Sequence, residues 1–149
     1  MNGRRPWLWG CLAALSALPA VAQQAWSVEQ ASPPLHTRGV PVMVAYEPPE
    51  PLPPGDAILR VHVQREGQTR VPVQTRVCVD LQAQQCMAVN GASVTTSRFY
   101  GVPANRPVYL VHTVPGDGPL DPNVYLRASV TVWYGHASLP STGSPVGPP

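Results

Sequence analysis

The sequence has no lysine, no CxxC, HxH, HExxH or GxSxG spacing, and almost no helical periodicity beyond residue 22. Each absence removes a class of function. Without GxSxG there is no strand–turn–helix elbow to present a serine nucleophile. Without HxH or HExxH, metal ligands would have to be assembled from His36, His62, His112 and His136, which lie far apart in the chain. Without CxxC, the two cysteines after residue 22, Cys78 and Cys86, do not read as a redox couple at a helix start. No apolar run after residue 22 reaches the roughly 20 residues that a spanning helix needs, so no membrane span is expected there.

Positive charge is scarce as well. All ten basic residues are arginines, and two of them, Arg4 and Arg5, sit at the extreme N-terminus. They begin a targeting pattern. A basic start is followed by the apolar stretch Pro6 to Val21 and by small residues in Ala20-Val21-Ala22. Residues 1–22 therefore read as a cleavable signal peptide, with cleavage before Gln23, and the product is expected outside the cytoplasm. Leu8-Trp9-Gly10-Cys11 has the look of a lipoprotein box, but the apolar segment follows Cys11 instead of preceding it. After cleavage, eight arginines face eight acidic residues. A formally neutral chain without a basic cluster does not carry the electrostatic footprint of a nucleic-acid binder.

What is present is valine, proline, glycine and alternation. The 127 residues from Gln23 to Pro149 suffice for one domain with its own core. Period-2 runs bounded by Pro, Gly and Asn predict strands near 25–30, 40–46, 57–64, 71–80, 85–90, 93–99, 107–114 and 123–134. In the last run Val124, Leu126, Ala128, Val130 and Val132 share one face, and Tyr125, Arg127, Ser129 and Thr131 share the other. Asn90-Gly91 reads as a tight hairpin turn, and Val114 to Pro119 as a turn whose two glycines take positive φ. The expected fold is all-β, a small antiparallel sandwich or barrel-like domain over 23–134. Cys78 and Cys86, an even pair in an exported chain, are expected to form one disulfide that clips a hairpin turning at Gln82 to Gln85. Glu47 to Asp56 holds five prolines and reads as an extended, stiff loop, and residues 135–149 as a disordered Pro/Gly/Ser tail. Leu139-Pro140-Ser141-Thr142-Gly143 matches a sortase motif by chance, since no hydrophobic segment follows it.

Nothing in the chain assembles a nucleophile, a base and an orienting group, so no enzyme and no cofactor are expected. Asp117 and Asp121 lie in turn sequence, where aspartate bonds its own backbone. The aromatic residues are more informative. Tyr125 and Trp133, on the face of the last strand opposite Val132, would form a binding surface if exposed, because Trp and Tyr dominate interface hot spots. The bland alternative is packing beneath a second sheet.

Several stretches in order resemble the FlhE family of flagellar proteins. They are Trp26, Leu35 and Arg38-Gly39; Arg76-Val77-Cys78 to Cys86; Gly91 to Thr96; the loop Gly101 to Arg106 before Val108-Tyr109-Leu110; Val114 to Gly118; and the terminal Trp133-Tyr134. The likeness spans residues 25–134. It departs from the family in a longer Cys78–Cys86 loop, in the proline-rich loop and in the tail. The resemblance implies a non-enzymatic periplasmic protein at the flagellar basal body. It would act as a chaperone or gate for flagellar export and assembly, limit proton leak through the export apparatus, and bind export, rod or basal-body proteins. Arg38 enters as a partner-binding candidate from the matching motif, beside Tyr125 and Trp133. The rival readings are a non-flagellar periplasmic binding module, such as a pilus-type chaperone or a cell-wall glycan binder, and a small metal-handling or hydrolytic enzyme in which His62 and His112 meet a carboxylate.

Overall fold

The computed structural model describes residues 23–67 and 69–137. Residues 1–22, where a signal peptide and the Cys11 motif are expected, and the residues from 138, with the LPSTG stretch, lie outside the described residues.

Ten strands form. In chain order they are β1 (Gln24–Ala31), β2 (Leu35–Thr37), β3 (Val42–Tyr46), β4 (Ala57–Glu66), β5 (Gln74–Cys78), β6 (Cys86–Val89), β7 (Ser93–Thr96), β8 (Val108–Thr113), β9 (Pro119–Val124) and β10 (Arg127–Gly135). They assemble into two four-stranded sheets, ordered β1-β10-β4-β7 and β3-β8-β5-β6, and a two-stranded ribbon, β2-β9. Every pairing is antiparallel. The all-β expectation holds, in its sandwich form.

Alternation explains the core. In the first sheet the rows Trp26–Val132–Val61 and Val28–Val130–Val63–Val94 point inward. In the second, Val44–Leu110–Val77 and Tyr46–Val108 point back at them, and these residues form one hydrophobic cluster. Burying a valine or leucine side chain contributes roughly 1.5–3 kcal/mol, so the two inner faces supply most of the driving force. Tyr46 can be buried because its hydroxyl donates to the Ala128 carbonyl at 3.3 Å; burial, then the nearby Glu29 charge, pushes its pKa up to about 12. The Trp26 indole nitrogen is buried with no hydrogen-bond partner among the described residues. A second cluster of Leu35, Val114, Leu120 and Leu126 lies under the β2-β9 ribbon.

Three local expectations are corrected. The strand read over 123–134 is broken at Tyr125–Leu126: residues up to Val124 belong to β9, and β10 starts at Arg127 and runs to Gly135. Sequence reading missed β9 because Pro119 and Pro122 interrupt it, and proline is tolerated in such a two-stranded ribbon, where ladder bonds are needed on one side alone. It missed the three-residue β2 for want of length. Asn90-Gly91 is a corner and not a hairpin: β6 pairs with β5 in one sheet and β7 with β4 in the other. Gly91 still has positive φ, +77°, but the turn carries the chain between sheets.

The disulfide forms as expected. Cys78 and Cys86 stand opposite each other in the β5–β6 hairpin and are bonded. The hairpin loop is organised by Asp80, whose carboxylate accepts the backbone N–H groups of Gln84 and Gln85. The bond lies on the outer face of its sheet, where Cys78 packs with Tyr109 and Val111. The proline-rich loop 47–56 carries no strand, crosses from β3 to β4, and is tied down by Leu52 against the main core.

Candidate functional site

Arg38, Gly39, Pro115 and Gly116, far apart in sequence, meet at one point. The β2 turn docks onto the loop after β8 through two backbone bonds, Arg38 N–H to Gly118 O at 2.9 Å and Gly39 N–H to Val114 O at 2.8 Å. The Arg38 guanidinium also reaches the Pro115 carbonyl at 3.4 Å. Gly39 has φ +76°, and a Cβ there would stand 2.9 Å from the Gly116 oxygen. Only glycine satisfies both constraints. These glycines are thus set by backbone approach, while Arg38 is left half-buried at the wall of a cavity.

That cavity has a volume of about 540 Å³ and is walled by Arg38, Arg70, Asn123 and Tyr125 together with β9 and Val71. Tyr125 is 63% exposed. Two of the three partner-binding candidates, Arg38 and Tyr125, therefore stand at the same opening. Sequence reading missed Arg70 because it lies in the β4–β5 connection, and nothing in the sequence says that this loop folds against β9.

Trp133 is not at that site. It lies at the far end of β10, eight residues from Tyr125 and roughly 25 Å along an extended chain. It is half-buried on the outer face of the β1-β10-β4-β7 sheet, with the Arg60 guanidinium 4.4 Å from its ring centroid, a cation–π contact. The same face carries small polar groups in register. Ser27 and Thr131 share a hydrogen bond at 2.8 Å, and so do His62 and Thr95 at 2.7 Å. Arg127 meets Glu29 at 2.8 Å, and that carboxylate raises the guanidinium pKa further.

The histidines do not converge. His62 is on this outer face, whereas His112 points inward from β8, 1% exposed, with Nδ1 at 2.9 Å from Thr75 Oγ1. Burial, and secondarily the Arg65 charge, pushes the His112 pKa down to about 4. Arg65 in turn donates to Thr75 Oγ1 at 3.3 Å, to the Val73 carbonyl at 2.9 Å and to the Gly91 carbonyl. The chain Arg65–Thr75–His112 closes one end of the sandwich as a hydrogen-bonded network. Among the described residues no group of three His, Cys, Asp or Glu side chains could hold a metal ion.

Comparison with known proteins follows this geometry closely. The family model described as flagellar protein FlhE matches residues 28–135, from within β1 to the last residue of β10. A solved structure described as the crystal structure of FLHE superposes with a TM-score of 0.64 at 27% identity, covering 76% of this chain and 97% of that one. No curated protein matches.

Proposed function

The chain belongs to the flagellar FlhE family, and on that premise we propose that it acts in the periplasm as a binding protein for flagellar export and assembly. In this reading it works as a chaperone or gate, engages export, rod or basal-body components, and limits proton leak through the export apparatus. The carrying observation is the extent of the family match. It takes in both sheets, the clipped hairpin and the docked Arg38-Gly39 turn, and not merely a fragment of the sandwich.

The architecture supports binding rather than chemistry. A small sandwich closed by a disulfide hairpin and by the Arg65–Thr75–His112 network keeps its surface rigid. Rigid surfaces lose little entropy when a partner docks. The signal-like N-terminus supports export to the periplasm. The test is deletion of the gene, read by motility, by electron microscopy of flagella and by cytoplasmic pH under mild acid stress. The expected result is abnormal flagellar assembly or acidification, restored by the wild-type copy. Unchanged motility, flagella and internal pH would leave only the family's fold and remove the flagellar role.

A further inference from the structure

The cavity beside Arg38 is the first of three that adjoin in a row, and we treat the row as one surface groove. It shares Thr69, Arg70 and Val71 with a neighbouring cavity of about 450 Å³. That cavity in turn shares Arg65 and Val73 with a third of about 510 Å³, which also reaches Arg76. The charges along this line are uneven. Four of the chain's eight described arginines line it (Arg38, Arg65, Arg70 and Arg76), but Asp121 is the single carboxylate of the eight described that does. The remaining surface holds the other four arginines and seven carboxylates. The described residues, formally neutral with eight arginines against eight carboxylates, are therefore polarised, with their positive side along one groove.

These arginines keep their charge unneutralised. Among the described residues the arginine ion pair is Arg127 with Glu29, and His136 Nδ1 lies 3.6 Å from Asp56; both contacts are outside the groove. Arg38, Arg65 and Arg76 donate to uncharged oxygens. Arg70 makes neither an ion pair nor a hydrogen bond among the described residues. Arg65 fastens Val73 and Gly91, so the groove wall is preorganised. Between the charges lie apolar side chains, Val71, Val73 and Leu126, with the exposed Tyr125 at one mouth.

We propose that this groove binds an extended, acidic polypeptide segment of a protein partner, an inference that rests on the protein-binding reading above. The arginines are strung along three adjoining cavities instead of converging on one point, which fits a chain of carboxylates and not a small anion. The valines, Leu126 and Tyr125 between them fit alternate apolar side chains of a peptide. A phosphodiester backbone would leave those surfaces without a partner.

The test uses the full mature chain and a fluorescein-labelled peptide of alternating glutamate and valine, with the same peptide carrying glutamine in place of glutamate as its control. Binding is read by fluorescence anisotropy at low and high salt. The acidic peptide should bind, weaken at least tenfold in Arg38→Gln/Arg70→Gln, and weaken with added salt as exposed charges are screened. Arg70→Gln alone, which removes no hydrogen bond among the described residues, should lose several-fold and guards against misfolding of the double variant. Arg98→Gln should bind as wild type. Equal binding by wild type and both groove variants would overturn the proposal. So would a single-stranded oligonucleotide or a phosphatidylglycerol vesicle that binds with the same arginine dependence when the peptide does not. In cells, if deletion gives a flagellar phenotype and the double variant rescues it fully, the groove is refuted while the flagellar role stands. If deletion gives no phenotype, the flagellar role fails, and the anisotropy result alone decides the groove.

Discussion

Acid should weaken this fold through His112. The residue is 1% exposed on the inward face of β8, between Val42 of β3 and Thr75 of β5, with Arg65 of β4 reaching the same threonine hydroxyl. An imidazolium there would be desolvated and would face a guanidinium, which is why the pKa falls from 6.5 to about 4. The unfolded chain titrates near 6.5, so between pH 6.5 and 4 the unfolded state binds a proton that the folded state does not. Stability is therefore complete above pH 6.5 and is lost as pH falls toward 4. The interval from 6.5 to about 4 corresponds to about 3 kcal/mol. This is a large share of the 5–15 kcal/mol typical of small domains. The assay is urea unfolding followed by tryptophan fluorescence at pH 7, 6, 5 and 4, on wild type and on His112→Asn. The asparagine can keep a hydrogen bond to Thr75 but cannot titrate. Wild type should lose about 3 kcal/mol more than the variant between pH 7 and 4. Parallel losses in the two proteins would refute the reasoning.

Gly39→Ala should cost at least about 1–2 kcal/mol, because it combines a left-handed backbone with a Cβ 2.9 Å from the Gly116 oxygen. Gly118→Ala, strained in φ but opening onto free space, should cost less in the same urea titration, and equal costs would count against the docked turn. Replacing both cysteines of the Cys78–Cys86 bond by serine should lower stability by about 2–3 kcal/mol, with hydrogen exchange rising first in β5 and β6; a uniform rise would contradict a local clip. Leu110→Ala, at a fully buried position between the sheets, should lose about 2–5 kcal/mol, whereas Arg60→Ala, which removes one exposed cation–π partner of Trp133, should lose less than about 1 kcal/mol. Comparable losses would mean that the outer face contributes to stability as much as the core.

The resemblance was legible because its motifs are local words. Arg38-Gly39 and Pro115-Gly116 can be read separately, although their contact cannot. The shared opening of Arg38 and Tyr125 was half visible, as two unconnected candidates. Arg70 was invisible, and grouping Tyr125 with Trp133 assumed one unbroken strand where the structure has a break.

The sequence by itself determined what depends on neighbours in the chain. Alternation from Ala128 to Val132 chose the buried face of β10, and the glycines of the Val114–Pro119 turn took the positive φ that only glycine adopts freely, +103° at Gly116 and +93° at Gly118. The tertiary structure alone decided what depends on strands meeting across the sandwich. It turned Asn90-Gly91 into a corner, made a strand of proline-interrupted β9, buried His112 against Thr75, and gathered four arginines along one groove. The physical reason is that a side chain's face follows from a period of two in the chain, whereas its partners follow from which strands exchange hydrogen bonds, and those lie tens of residues away.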